Sequence, residues 1–131
     1  MTGIDTNILV RYIVQDDKAQ AAKATRLIES KCTARSPGYI NIIVLCELVW
    51  VLKRAYSYKK RIIIDVLSTL LSVQEISVER SAEVSIALEE FSSGNGDFVD
   101  YLIAVINSQK GCDFTYTLDR TAAQYKGFKK L

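Results

Sequence analysis

The sequence predicts an α/β domain with a mainly parallel central sheet and helices on both faces. Short β-rich segments alternate with longer segments of helical periodicity along the 131 residues, an order typical of parallel strands joined by helical crossovers. A hydrophobic content of 49% is ample for one core in a chain of this length. With only six Gly, one Pro and no polar tract, we expect no linker and one domain over residues 1–131.

Hydrophobic periodicity and helix-forming residues place each element along the chain. In the first half of the chain, we predict a strand at 3–5, helices at 6–14 and 17–31, an extended segment at 32–40, and helices at 41–55 and 59–72. In the second half, we predict a strand at 75–78, helices at 79–93 and 97–111 separated by "SGNG", and a strand at 113–119. A last helical turn and a basic tail follow. In open parallel sheets, ligands bind at the carboxyl ends of the strands. Residues that follow strands are therefore the first candidates for a functional site.

Composition excludes several kinds of chemistry. The chain has no histidine, which removes the Ser-His-Asp and Cys-His nucleophiles and the zinc motifs that need imidazole. Three cysteines without close spacing predict neither a disulfide framework nor a zinc site. A net charge of +2 is too small to indicate a nucleic-acid binder by itself. No signal peptide or membrane span is predicted, so we expect a cytoplasmic protein.

Four aspartates occupy positions typical of a site at the strand ends. Asp5 and Asp119 close predicted strands, whereas Asp97 and Asp100 open a helix one turn apart. Each also has a purely structural interpretation. Asp5 could belong to a simple turn capped by Thr6 or Asn7, Asp97 and Asp100 could form a capping box, and Asp119 could make another turn or cap.

Glu47 interrupts the apolar segment "IIVLCELVWVL" at residues 42–52. An unpaired carboxylate buried in such a segment costs several kcal/mol, so it pairs with a cation, binds a metal or becomes neutral. One interpretation is a salt bridge to a Lys or Arg elsewhere in the chain. The other is that Glu47 joins the aspartates around Mg²⁺ or Mn²⁺, one ion or two, because hard cations prefer oxygen ligands.

Four segments in this order resemble the PIN-domain ribonucleases. They are "GIDTNILVRYIVQDD", "VLCELVWVL", "GDFVDYLIA" and "TLDR", and together they span nearly the whole chain. Their order and spacing are most similar to the VapC-type toxins of toxin–antitoxin pairs. The resemblance implies a three-layer α/β/α fold with a sheet of about five strands, and metal-dependent hydrolysis of RNA with Mg²⁺ or Mn²⁺ as cofactor.

The resemblance also implies roles for particular residues. Asp5, Glu47, Asp100 and Asp119 would be the catalytic acids and metal ligands. Asp97 would be an extra acid at the rim, and Asn7 and Thr117 would be hydrogen-bonding partners of the acids. Tyr101 stands where the family often has a small residue, and a side chain of this size could narrow the substrate groove.

The resemblance further implies an RNA substrate, a homodimer and a cognate antitoxin. Arg11 and Arg120 lie close in sequence to proposed acids, and either could contact the scissile phosphate or neutralise the acids. The basic stretch "KRAYSYKKR" at 53–61 could hold RNA through its cations and tyrosines, or it could be a solvated helix hairpin. The apolar helix at 59–72 could offer a partner surface, although such stripes are more often core.

Two alternatives to the nuclease stay open from the sequence. A phospho-receiver domain has a similar length and acidic strand ends, but here the first strand ends in "DTN" and the last lacks the expected lysine. A PIN-like module without activity would serve only as an interaction partner. The presence of all four acids argues against that second alternative.

Overall fold

The computed structural model describes residues 1–131 and divides into two compact units, Met1–Glu79 and Arg80–Leu131. The first unit contains β1 (Thr2–Gly3), α1 (Thr6–Val14), α2 (Lys18–Lys31), β2 (Gly38–Ile40), α3 (Ile42–Arg54), α4 (Lys60–Ser72) and β3 (Ile76–Val78). The second contains α5 (Ser81–Ser93), α6 (Phe98–Gln109), β4 (Thr115–Thr117), a 3-10 turn (Ala122–Gln124) and β5 (Phe128–Lys130). None of the helices is long and apolar enough to cross a membrane.

All strand pairs are parallel, as predicted, but they form two separate sheets. The first unit holds a three-stranded sheet in the order β1-β2-β3. The second unit holds β4 and β5. Part of the predicted basic tail forms β5, which pairs with β4. The composition of the tail did not indicate this pairing. The expectation of a sheet of about five strands therefore gives the correct number of strands but not their grouping.

The first unit has a core built by its helices around the three-stranded sheet. Helix α1 buries Leu9 and Val10 and packs against α2 and α3. Helix α3 buries one apolar face, made of Val44, Leu45, Leu48, Val49 and Leu52. Its N-terminus is fixed twice, because Val44 N donates to Asn41 Oδ1 at 2.9 Å and Ile42 N donates to Glu79 Oε1 at 2.8 Å. These bonds set the position of α3, and hence of Glu47 midway along it.

The second unit packs its two helices against each other through apolar residues. Phe91 of α5 and Phe98 of α6 meet edge to face with ring centroids 5.9 Å apart. Asn107 on α6 donates a hydrogen bond from Nδ2 to the Thr115 hydroxyl of β4 at 2.9 Å. Helix α6 is thus tied to one face of the two-stranded sheet, which fixes the residues that follow β4.

Candidate active site

Asp5 marks the turn between β1 and α1. The strand ends at Gly3, earlier than predicted, and Asp5 is the N-cap residue of α1. Its Oδ1 accepts a hydrogen bond from Thr6 N at 2.8 Å. The expectation that Thr6 or Asn7 would cap this helix is therefore wrong, because Asp5 itself occupies the capping position. The Asp5 side chain is exposed, so this turn leaves carboxylate oxygen accessible to a ligand.

Glu47 lies close to this turn but is not buried. Its side chain is exposed, which corrects the expectation of a buried carboxylate. The correction has a simple cause, because α3 buries only one face and Glu47 lies on the opposite face with Ile43 and Trp50, which are 70% and 62% exposed. The segment around Glu47 is apolar throughout because α3 also carries apolar residues on its exposed face, and not because the whole helix is buried.

Thr6 connects the two acids of the first unit. Its hydroxyl donates a hydrogen bond to Glu47 Oε1 at 2.9 Å, while its backbone N–H donates to Asp5. Thr6 therefore orients both carboxylates, although its place in the sequence suggests only a helix cap. A hydroxyl directly after an aspartate at the end of a predicted strand is the sequence signal that could have identified this role.

A cleft of about 410 Å³ opens beside these acids. Asp5, Asn7 and Glu47 supply its polar wall, and Val10 and Val51 supply part of its apolar wall. Asn7 is exposed there, in reach of a bound group. The first unit thus provides an acidic cleft in which Thr6 hydrogen-bonds the carboxylates of both Asp5 and Glu47.

Arg11 borders the same cleft but is engaged in a polar network. Its guanidinium donates to Gln20 Oε1 at 2.6 Å, to Asp16 Oδ1 at 3.0 Å and to the Tyr56 hydroxyl at 3.2 Å. Tyr56 in turn donates to Asp16 Oδ2 at 3.0 Å. Arg11 therefore ties α1 to the start of α2 and to the segment after α3. Its neutralising partner is Asp16, an acid outside the proposed set.

The second unit gathers the other three candidate acids. Asp97 is the N-cap residue of α6, but its side chain makes no capping bond to the helix, and Asp100 lies in the first turn. The capping-box interpretation is therefore wrong for this pair. Partial burial, followed by repulsion from Asp97 and Asp119, raises the pKa of Asp100. Asp97 and Asp119 are thus close enough to Asp100 to oppose its ionisation.

Asp119 is positioned by the turn after β4. Its Oδ1 accepts hydrogen bonds from Thr121 N at 2.8 Å and from Ala122 N at 3.4 Å. Its own N–H donates to the Thr117 hydroxyl at 3.1 Å. The structural interpretation of Asp119 as a turn residue is correct, and the bonds also hold this carboxylate in one orientation. The Thr117 hydroxyl thus bonds to the backbone of Asp119, and its role as a partner of the carboxylate stays a prediction.

Tyr101 does not narrow a groove. Its side chain is only 6% exposed and stacks on Tyr125, with ring centroids 4.9 Å apart and planes at 24°. The Tyr101 hydroxyl accepts a hydrogen bond from Gly96 N at 3.1 Å. A side chain at Gly96 would collide with the Tyr125 ring. The "SGNG" break therefore makes room for the tyrosine pair, and the expectation for Tyr101 is wrong.

The remaining basic candidates have different surroundings. Arg120 is exposed directly after Asp119, so it stays a candidate for phosphate contact. In the stretch at 53–61, Tyr56 is half-buried and bonded to Arg11 and Asp16, and it meets Tyr58 edge to face at 6.5 Å. Tyr56 is thus committed to the fold, which favours the hairpin interpretation of this stretch.

The donor chemistry of both acid groups suits a hard cation. The structure has no group of three acidic or cysteine side chains close enough together to bind a metal ion. However, the groups offer carboxylate oxygens and no thiolate, which matches the preference of Mg²⁺ and Mn²⁺. Burial and then repulsion from Asp97 and Asp119 raise the pKa of Asp100, and a bound cation relieves such repulsion. The residues therefore fit a divalent metal.

Comparison with known proteins gives the family. The sequence model of the PIN-domain family matches residues 4–127. The chain belongs to the PIN-domain family. The match covers both units and all the candidate acids, and it excludes the receiver-domain alternative. A comparison with curated proteins found no significant match. PIN domains are generally nucleases and generally use divalent metals, so this PIN domain has a nuclease fold.

Proposed function

We propose that this PIN domain is a metal-dependent endoribonuclease. The observation that carries the proposal is the position of Asp97 and Asp119 near Asp100, whose pKa is raised first by burial and then by these two carboxylates. A carboxylate whose charge is disfavoured in this way is costly to ionise unless a cation joins it. Family membership adds support, because PIN domains are generally nucleases.

The proposed metal ligands are Asp5, Glu47, Asp100 and Asp119, holding one or two ions of Mg²⁺ or Mn²⁺. When bound, the metal would supply an activated water and stabilise the leaving oxygen of the RNA phosphodiester. Thr6 keeps the carboxylates of Asp5 and Glu47 in place through its two hydrogen bonds. The backbone N–H groups of Thr121 and Ala122 hold the Asp119 carboxylate in the same way. Such pre-orientation reduces the cost of assembling the site.

Secondary roles follow for the neighbouring residues. Asp97 would add negative charge at the rim, and Asn7 would hydrogen-bond a group in the cleft beside Glu47. Arg120 would contact a phosphate next to the scissile bond. Arg11 is supported only as an indirect RNA contact, since its guanidinium already has three partners.

We also propose that the protein is the toxin of a type II toxin–antitoxin pair. The support is the order and spacing of the four segments that resemble VapC-type toxins. A homodimer, a cognate antitoxin and a cytoplasmic location belong to this proposal.

The first test compares the wild type with Glu47→Gln. The substituted amide can still accept the hydrogen bond from Thr6 but carries no charge. We expect the wild type to cleave cellular RNA in Mn²⁺ or Mg²⁺ and not in EDTA, and the variant to lose activity by about 100-fold or more. Induced wild type, but not the variant, should arrest bacterial growth.

A matched control is Glu89→Gln, which changes an exposed acid on α5 outside the proposed site. This control should cleave like the wild type. Equal cleavage by Glu47→Gln and the wild type would overturn the role of Glu47. Absence of metal-dependent cleavage by the wild type would favour the interaction module without activity.

A further inference from the structure

The two-stranded sheet of the second unit packs one face against α6 and exposes the other face to solvent. Thr115 faces inward, because its hydroxyl accepts a hydrogen bond from Asn107 of α6. Phe114, Tyr116 and Leu118 alternate with the inward-facing residues and are 52%, 61% and 76% exposed. Three large apolar side chains therefore stand in a row on the open face.

A lysine from the neighbouring strand joins this row. Lys129 pairs in register with Tyr116, and its Nζ lies 5.1 Å from the centre of the Phe114 ring. We name the face formed by Phe114, Tyr116, Leu118 and Lys129 the ribbon face. Residues 113–131 carry four basic and two acidic side chains, so the surroundings of the ribbon face favour a polyanion.

We infer that the ribbon face binds single-stranded RNA by stacking unpaired bases on Phe114 and Tyr116. This inference rests on the proposed function and names the form of its RNA substrate. Residues two apart on a strand are about 6.6 Å apart, so each ring can take a base of its own. The Lys129 Nζ lies over one face of the Phe114 ring, and from there this flexible cation can turn to the backbone phosphates of the bound strand.

The size of the ribbon face favours a strand of RNA over a second protein. The ribbon face consists of four side chains and extends about 13 Å from Phe114 to Leu118. Each partner in a typical stable protein interface contributes roughly 20–30 residues, so the ribbon face is far too small for such an interface. A surface of this length suits one or two bases. Duplex RNA keeps its bases inside the helix, where side-chain rings cannot stack on them.

The ribbon face also leads to a proposed catalytic acid. Leu118, its last apolar residue, directly precedes Asp119, whose carboxylate the following turn holds in place. RNA bound on the ribbon face would therefore extend toward Asp119. The sheet would act as an entry surface that selects unpaired RNA before cleavage.

The test measures RNA binding without cleavage. A labelled 12-nucleotide single strand and the matching duplex are titrated in EDTA with wild type, Tyr116→Ser, Tyr116→Phe and Phe114→Ser/Tyr116→Ser, using fluorescence anisotropy. We expect the wild type to prefer the single strand. The Kd should rise about tenfold or more in the double variant, because stacking on each ring is lost. Tyr116→Phe keeps the ring and should stay within about twofold of the wild type.

The control variant is Ile86→Ser, which removes an apolar side chain that is 41% exposed on α5 and should bind like the wild type. Equal binding by the double variant and the wild type, or an equal preference for duplex, would overturn the inference. A change in molecular mass by light scattering with unchanged RNA binding would assign the ribbon face to a protein partner instead.

The outcome is separable from that of the proposed nuclease. RNA binding that depends on the two rings, together with no cleavage by the wild type in Mn²⁺, would overturn the nuclease and keep the ribbon face. Cleavage that is lost in Glu47→Gln, together with RNA binding that does not depend on Phe114 and Tyr116, would support the nuclease and overturn the ribbon face.

Discussion

At the residue scale, hydrogen bonds explain the roles of individual side chains better than sequence neighbourhood does. Arg11 was a candidate for RNA contact because it lies close to Asp5 in the sequence. In the structure it is held by Gln20, Asp16 and Tyr56. Thr6, by contrast, contacts both acids of the first unit. Residues that orient a site are thus found through their partners.

Asp16 gives a prediction at this scale. Desolvation opposes its ionisation, but hydrogen bonds from Tyr56 and Arg11 prevail and lower the pKa of Asp16. A lowered pKa stabilises the fold above the unfolded-state pKa of about 4, and this stabilisation is lost as the pH falls through the folded-state value. Asp16→Asn should therefore melt at a lower temperature than the wild type at pH 7.

The pH dependence provides the check. The difference in melting temperature between Asp16→Asn and the wild type should shrink as the pH is lowered from about 5 to below the folded-state pKa. Asp65→Asn, at an exposed position on α4, serves as the control. A difference that stays constant over this range would show that the charge of Asp16 has no part in the network.

At the element scale, α3 is one-sided despite its apolar composition. Leu45, Leu48 and Leu52 are at most 1% exposed, whereas Ile43 and Trp50 are well exposed. The stability of the helix comes from the buried face and from the two capping bonds at its N-terminus. Glu47 is therefore free to serve a site without a burial penalty.

Two truncations on α3 should differ sharply. Leu48→Ala should lower the free energy of unfolding by about 2–5 kcal/mol, because it opens a cavity around a fully buried side chain. Trp50→Ala should change it by about 0.5 kcal/mol or less, since the side chain is 62% exposed. Urea denaturation of both variants measures these changes. A large loss of stability in Trp50→Ala would contradict the assignment of the exposed face.

At the scale of the whole molecule, the charge balance of the acids should couple metal binding to stability. The pKa of Asp100 is raised, first by burial and then by Asp97 and Asp119. A raised carboxyl pKa stabilises the fold at low pH, and this contribution is lost as the pH rises through the folded-state value. Ionised Asp100 therefore destabilises the metal-free protein at neutral pH.

A crossing of melting temperatures follows from this coupling. In EDTA at pH 7, Asp100→Asn should melt higher than the wild type, because the neutral side chain relieves the repulsion. In millimolar Mn²⁺ the wild type should gain stability through binding and the variant should gain less. Differential scanning fluorimetry measures both, with Asp65→Asn as the control. A wild type insensitive to Mn²⁺ would contradict the proposed metal site.

The sequence determined the α/β class, the parallel pairing and nearly every helix, because hydrophobic periodicity is a local property that the chain keeps when it folds. It also singled out the acids through their positions beside strands and breaks. Only the tertiary structure decided that Glu47 is exposed, that Tyr101 is buried and that the strands form two sheets. These features depend on which residues far apart in the sequence come into contact. Such contacts leave no local pattern, so composition and spacing could not reveal them.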